Sequence, residues 1–156
     1  MKFAPKLIIG LGNPDKKYEN TYHNVGHMLA DYLSGEAMKS DTYMNESGRS
    51  VAKAMKKFGV KPENLLIVHD DSDIELGKYK FSFGRGAAGH HGVENIQATL
   101  KTNNFWRLRI GIRPAQKESG TRKKAEEFVL KKISPADKKL LEKVFEEIRA
   151  KLTSTK

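Results

Sequence analysis

The sequence predicts an α/β protein: a three-layer fold with a mixed, partly parallel sheet flanked by helices, in a single domain spanning residues 1–156. Three observations carry this expectation. Short apolar runs at Leu7-Ile8-Ile9-Gly10-Leu11 and Leu65-Leu66-Ile67-Val68 suit strands covered on both faces. Stripes of apolar residues at helical spacing fall between the strand-like segments, the alternation that builds sheets layered with helices. No internal repeat, low-complexity tract or linker divides the chain.

Each element follows from its local pattern. The first strand ends in Gly12-Asn13-Pro14-Asp15, residues that turn the chain. Val25, Met28, Leu29, Tyr32 and Leu33 form a helical stripe stopped by Ser34-Gly35, and Val51, Met55 and Phe58 form a second stopped by Gly59. Residues 37–43 have room for one strand between these helices. The Leu65 strand is expected to deliver Asp70-Asp71-Ser72-Asp73 at its carboxyl end, and Tyr79, Phe81 and Phe83 alternate as in a half-exposed strand. Gly84-Arg85-Gly86-Ala87-Ala88-Gly89 reads as a loop before a third stripe, Val93, Ile96 and Leu100. Trp106, Leu108, Ile110 and Ile112 alternate with Arg107, Arg109 and Gly111, predicting a strand whose second face carries two arginines, expected to pair with surface acids. Ser134-Pro135-Ala136-Asp137 supplies a helix start, and Leu140, Leu141, Val144, Phe145, Ile148 and Leu152 continue it as a basic amphipathic helix over about 135–152.

Composition limits the chemistry. No apolar run approaches the roughly 20 residues of a membrane span, and Met1-Lys2-Phe3-Ala4-Pro5 leads into no signal-type segment, so a cytoplasmic protein is expected. With no cysteine, thiolate nucleophiles and thiolate-bound zinc are excluded. The 29 Lys+Arg against 19 Asp+Glu give a net charge of +10, which favours a polyanionic partner as well as solubility. Arg113–Lys156 holds 13 basic and 7 acidic residues, so most of the excess sits in the tail. Arg85 in the glycine loop and Lys123 and Lys124 in the tail are expected to contact the phosphates of such a partner.

Two common sites fail in detail. Gly10-Leu11-Gly12 begins like a dinucleotide-binding glycine motif, but Asp15 stands at the third glycine position and no helix follows directly. His23 and His27 are four apart, but no Glu follows the first as a zinc-hydrolase helix requires, and neither metal nor cofactor is expected. What remains is a polar set at strand ends: Asn13, Asn45 and Asp70, with His23 and the His90-His91 pair. On spacing alone each has a structural alternative: a helix cap for His23 and Asn45, a turn for Asn13 and Asp70.

Six blocks, in order, resemble the bacterial-type peptidyl-tRNA hydrolase family. They are Ile8-Ile9-Gly10-Leu11-Gly12-Asn13-Pro14 with Tyr18, Thr21-Tyr22-His23-Asn24-Val25-Gly26, Thr42-Tyr43-Met44-Asn45-Glu46-Ser47-Gly48, Val68-His69-Asp70-Asp71, Gly89-His90-His91-Gly92 and Phe105-Trp106-Arg107-Leu108-Arg109-Ile110-Gly111-Ile112. The resemblance implies hydrolysis of the ester between a peptide and the terminal ribose of tRNA, by a chain acting as a monomer on peptidyl-tRNA. It implies His23 as general base and Asp70 as the acid that orients it, with Asn13, Tyr18, Tyr43, Asn45 and His91 binding substrate. A noncatalytic RNA-binding relative of the same fold is the alternative. Two features depart from the family pattern: His91 stands where an asparagine is usual, and the link between Leu33 and Asp41 is short. The short link is expected to cost the sheet an edge hairpin.

Overall fold

The computed structural model describes residues 4–114 and 128–154. Lys123 and Lys124 lie outside the described residues. The elements run β1 (Leu7–Gly10), α1 (Val25–Leu33), β2 (Met38–Lys39), α2 (Ser47–Phe58), β3 (Leu65–Glu75), β4 (Tyr79–Phe83), α3 (His91–Leu100), β5 (Trp106–Arg113) and α4 (Pro135–Ser154). The sheet order is β2-β1-β3-β5-β4, with β2, β1, β3 and β5 parallel and β4 antiparallel to β5. The fold is therefore the mixed, mostly parallel α/β layer that the alternation predicts.

Strand parity divides the core between the two faces. Ile8, Leu66, Val68, Leu108 and Ile110 pack with Val25, Leu29 and Leu33 of α1 and with Leu141, Val144, Phe145 and Ile148 of α4. Leu7, Ile9, Leu65 and Ile67 pack on the other side with Val51 and Met55 of α2 and Val93 and Ile96 of α3. Burial on both faces is why β1 and β3 read as continuous apolar runs.

Glycine sets how closely α1 approaches the sheet. A Cβ at Gly26 would stand 2.5 Å from the Val68 carbonyl oxygen, and one at Gly10 would stand 2.0 Å from that of Gly26. The start of α1 thus lies directly over β1 and β3, beside their carboxyl ends.

Four expectations need correction. β3 does not end before Asp70 but runs to Glu75, because its pairing with β5 continues through Asp71 and resumes at Glu75 after a register shift. The strand expected within residues 37–43 shrinks to two residues at the sheet edge, consistent with a shortened edge. Asn45 does not cap α2; it sits in the 3-10 turn Met44–Glu46, and Glu46 holds the cap position. Arg107 is not at the surface: it is buried, donating to His69 Nε2 at 3.0 Å and to the Gly86 carbonyl at 2.8 Å. Only Arg109 finds an acid, Asp71, at 2.8 Å.

Candidate active site

A cleft of about 980 Å³ opens beyond the carboxyl end of β1 and along the carboxyl half of β3, on the side where parallel sheets gather functional groups. Asn13, Tyr18, His23, Tyr43, Asn45, Asp70, His90 and His91 all line it, on loops far apart in sequence. Arg85 is exposed on the glycine loop and does not line the cleft.

His23 is placed by three sets of contacts. It lies in a 3-10 turn, Tyr22–Asn24, that leads into α1. Its backbone N–H donates to the Val129 carbonyl at 2.7 Å, and Tyr22 N–H donates to that of Lys131 at 3.2 Å, so the segment entering α4 straps this turn. The Tyr22 hydroxyl donates to Asp137 Oδ2 at 2.5 Å, on the first turn of α4. His23 Nδ1 then meets Asp70 Oδ2 at 2.7 Å, with side-chain exposures of 18% and 3%. Asp70 shares parity with Leu66 and Val68, the residues of β3 that face α1.

The electrostatics suit proton abstraction. Burial pulls the His23 imidazole down, but the Asp70 charge and hydrogen bond outweigh it and hold the pKa above its ordinary 6.5. Burial works against charge on Asp70 as well, yet the imidazoles of His23 and His90 hold its carboxyl far below the usual carboxylate range. An ionised Asp70 can only accept, so His23 carries a proton on Nδ1 when neutral. Its Nε2 makes no hydrogen bond among the described residues.

Asn13 is the hinge of the opposite wall. Asn24 clamps its backbone at both ends, with Oδ1 accepting from Asn13 N–H at 2.8 Å and Nδ2 donating to Asn13 O at 2.9 Å. Asn13 Oδ1 in turn accepts from Met44 N–H at 2.8 Å, which fixes the turn carrying Asn45. The Tyr43 hydroxyl donates to Asp15 at the cleft rim, which raises the phenol's pKa.

A family model described as Peptidyl-tRNA hydrolase matches residues 7–37 and 35–155. The chain belongs to the peptidyl-tRNA hydrolase family. The two matched stretches meet at residues 35–37, in the short link between α1 and β2. The peptidyl-tRNA hydrolase of Lactobacillus gasseri is 39% identical over 166 residues, covering 90% of this chain and 87% of that protein. That of Sulfurihydrogenibium sp. is 37% identical, covering 89% and 84%. The crystal structure of peptidyl-tRNA hydrolase from Acinetobacter baumannii superposes with a TM-score of 0.84 at 28% identity, covering 98% of this chain and 88% of that one. Family membership makes this chain a hydrolase.

The sequence places the His90-His91 pair in the polar set, with a substrate-binding role expected for His91 and no separate role for His90. Both line the cleft, but His90 Nε2 lies 2.9 Å from Asp70 Oδ1, whereas the exposed His91 side chain makes no hydrogen bond among the described residues. A signal was available: His90 directly precedes the third helical stripe, where a side chain that accepts from Val93 N–H is wanted. His23, Asp70 and His90 present ligand atoms within 4.8 Å of one another, a spacing that could hold a cation. The acceptor role of His90 Nδ1 leaves the proton of the neutral ring on Nε2, facing Asp70, and in that tautomer Nε2 has no lone pair to offer a metal.

Proposed function

We propose that the chain hydrolyses the ester joining peptide to tRNA in peptidyl-tRNA, with His23 as general base and Asp70 as its orienting anion. The observation that carries this reading is the 2.7 Å contact between His23 Nδ1 and Asp70 Oδ2, which leaves Nε2 at the cleft without a hydrogen-bond partner among the described residues. A water attacking the ester carbonyl gives its proton to Nε2 as its oxygen bonds to carbon. Asp70 stabilises the imidazolium so formed. Collapse of the tetrahedral intermediate breaks the bond to the ribose oxygen, which takes the proton back and leaves as free tRNA. Peptide and tRNA are the products, and His23 is neutral again.

The amides of Asn13 and Asn45 hold the peptide main chain and the developing oxyanion, contacts independent of peptide side chains. Tyr18, Tyr43 and His91 complete the walls around the substrate. Arg85, Lys123 and Lys124 neutralise tRNA phosphates. In this reading the chain acts as a monomer in the cytoplasm without a metal. No helix among the described residues is long and apolar enough to cross a membrane. The His23–Asp70 pair disfavours the noncatalytic alternative, since RNA binding has no use for a buried carboxylate aimed at an imidazole.

Peptide release from purified peptidyl-tRNA tests this. The parent chain should turn over, and His23→Ala should lose about a hundred- to ten-thousandfold in rate. Release by the variant within a few-fold of the parent would remove His23 from the mechanism.

A further inference from the structure

His90 stands outside the proposed base and its anion, yet it is bonded to the same carboxylate. Its partners settle where its proton lies. The Val93 backbone N–H can only donate, so His90 Nδ1 accepts, at 3.2 Å, and the neutral ring carries its hydrogen on Nε2. That hydrogen faces Asp70 Oδ1 at 2.9 Å.

The neighbouring ring is fixed by the same logic. Arg107 can only donate, so His69 Nε2 accepts, at 3.0 Å, and His69 Nδ1 donates to the Asp70 carbonyl at 2.7 Å. Burial, with His90 and Arg107 beside it, pushes the His69 pKa well below its ordinary value, keeping the ring neutral. His69 meets His90 edge-on, with centroids 4.7 Å apart, and His23 lies 5.5 Å away on the other side. The groups facing His90 are therefore Asp70 and His69 on β3, Arg107 behind His69, His23 before α1 and the first turn of its own helix.

We propose that His90 is a positioning residue for the hydrolysis: oriented as an Nε2 donor by the start of α3, it holds the second oxygen of Asp70 and thereby fixes the plane of His23. This rests on the reading of His23 as base. A carboxylate turns readily about its last torsion, so one hydrogen bond leaves its plane free. With Oδ1 tied to His90 and Oδ2 to His23, the plane is set at both ends, and the direction of His23 Nε2 with it.

Two substitutions separate this role from helix capping. His90→Asn keeps a good cap for Val93 but is too short to reach Asp70. His90→Gln reaches Asp70 with its amide and caps poorly. Peptide release and the NMR titration of the His23 ring, which needs no turnover, are measured on parent and variants. His90→Asn is expected to lower kcat by about ten- to hundredfold, the cost of a misaligned base, with KM nearly unchanged. It should also move the His23 titration to higher pH, because Asp70 loses a bond that competes for its charge. His90→Gln should recover most of kcat. A parent-like kcat in His90→Asn, an unmoved His23 titration, or a Gln variant no better than Asn would overturn the proposal. A parent that releases no peptide would instead overturn the hydrolysis, while the titration still reads the link from His90 to His23.

Discussion

His27 shows how a single side chain ties stability to pH. Its ring is buried against Gly12, its Nε2 contacts Ser40 Oγ at 3.0 Å, and burial together with the charge of Lys39 pushes its pKa down to about 4. The unfolded chain therefore takes up this proton first, and stability falls as pH drops from about 6.5 towards 4, by up to about 3 kcal/mol. His23 is shifted the other way, so its stabilising contribution is full below about 6.5 and is lost as pH rises from there through its raised pKa. Thermal melting between pH 7 and 4.5 should show the loss in the parent and a smaller one in His27→Gln; equal losses would show that His27 is not its source. At this scale the family resemblance singled out His23 and Asp70, because residue type and spacing alone left a helix cap and a turn as alternatives. The sequence was opaque where adjacent histidines share a type, since only the start of α3 distinguishes His90 from His91.

Among the elements, the contact of α1 with the sheet governs where His23 sits. Gly26→Ala would drive a methyl into the Val68 and Leu11 carbonyl oxygens, at 2.5 and 2.6 Å, and backbone cannot give way as a side chain can. Overpacking of this kind costs about 1–3 kcal/mol or more, so the variant should melt lower and lose activity together. An Ala variant with unchanged melting and turnover would mean that α1 does not rest on these carbonyls. Period and punctuation made the helices and β1, β4 and β5 readable. The continuation of β3 through Asp70-Asp71-Ser72-Asp73 was not, because those residues carry turn composition. In the fold, Asp71 accepts from Arg109 on β5, and the Ser72 carbonyl accepts from Arg113. Such cross-strand partners are invisible in a local window.

The whole molecule brings the loop after β1, the turn before α1, the turn before α2, the end of β3 and the start of α3 into one cleft. The family blocks made that assembly legible in outline, since they mark the segments that meet there. The strap from the segment before α4 onto Tyr22 and His23 was not legible, because nothing local links Asp137 to Tyr22 across the chain. The central claim is that Asp70 sets the proton affinity and direction of His23, and the pH dependence of peptide release reads both. Activity needs the neutral base, so it should rise with pH through a midpoint above 6.5 in the parent. Asp70→Asn removes the charge that raises this midpoint, so its acidic limb should move to lower pH while its plateau falls. A variant with the parent's midpoint and plateau would contradict the account.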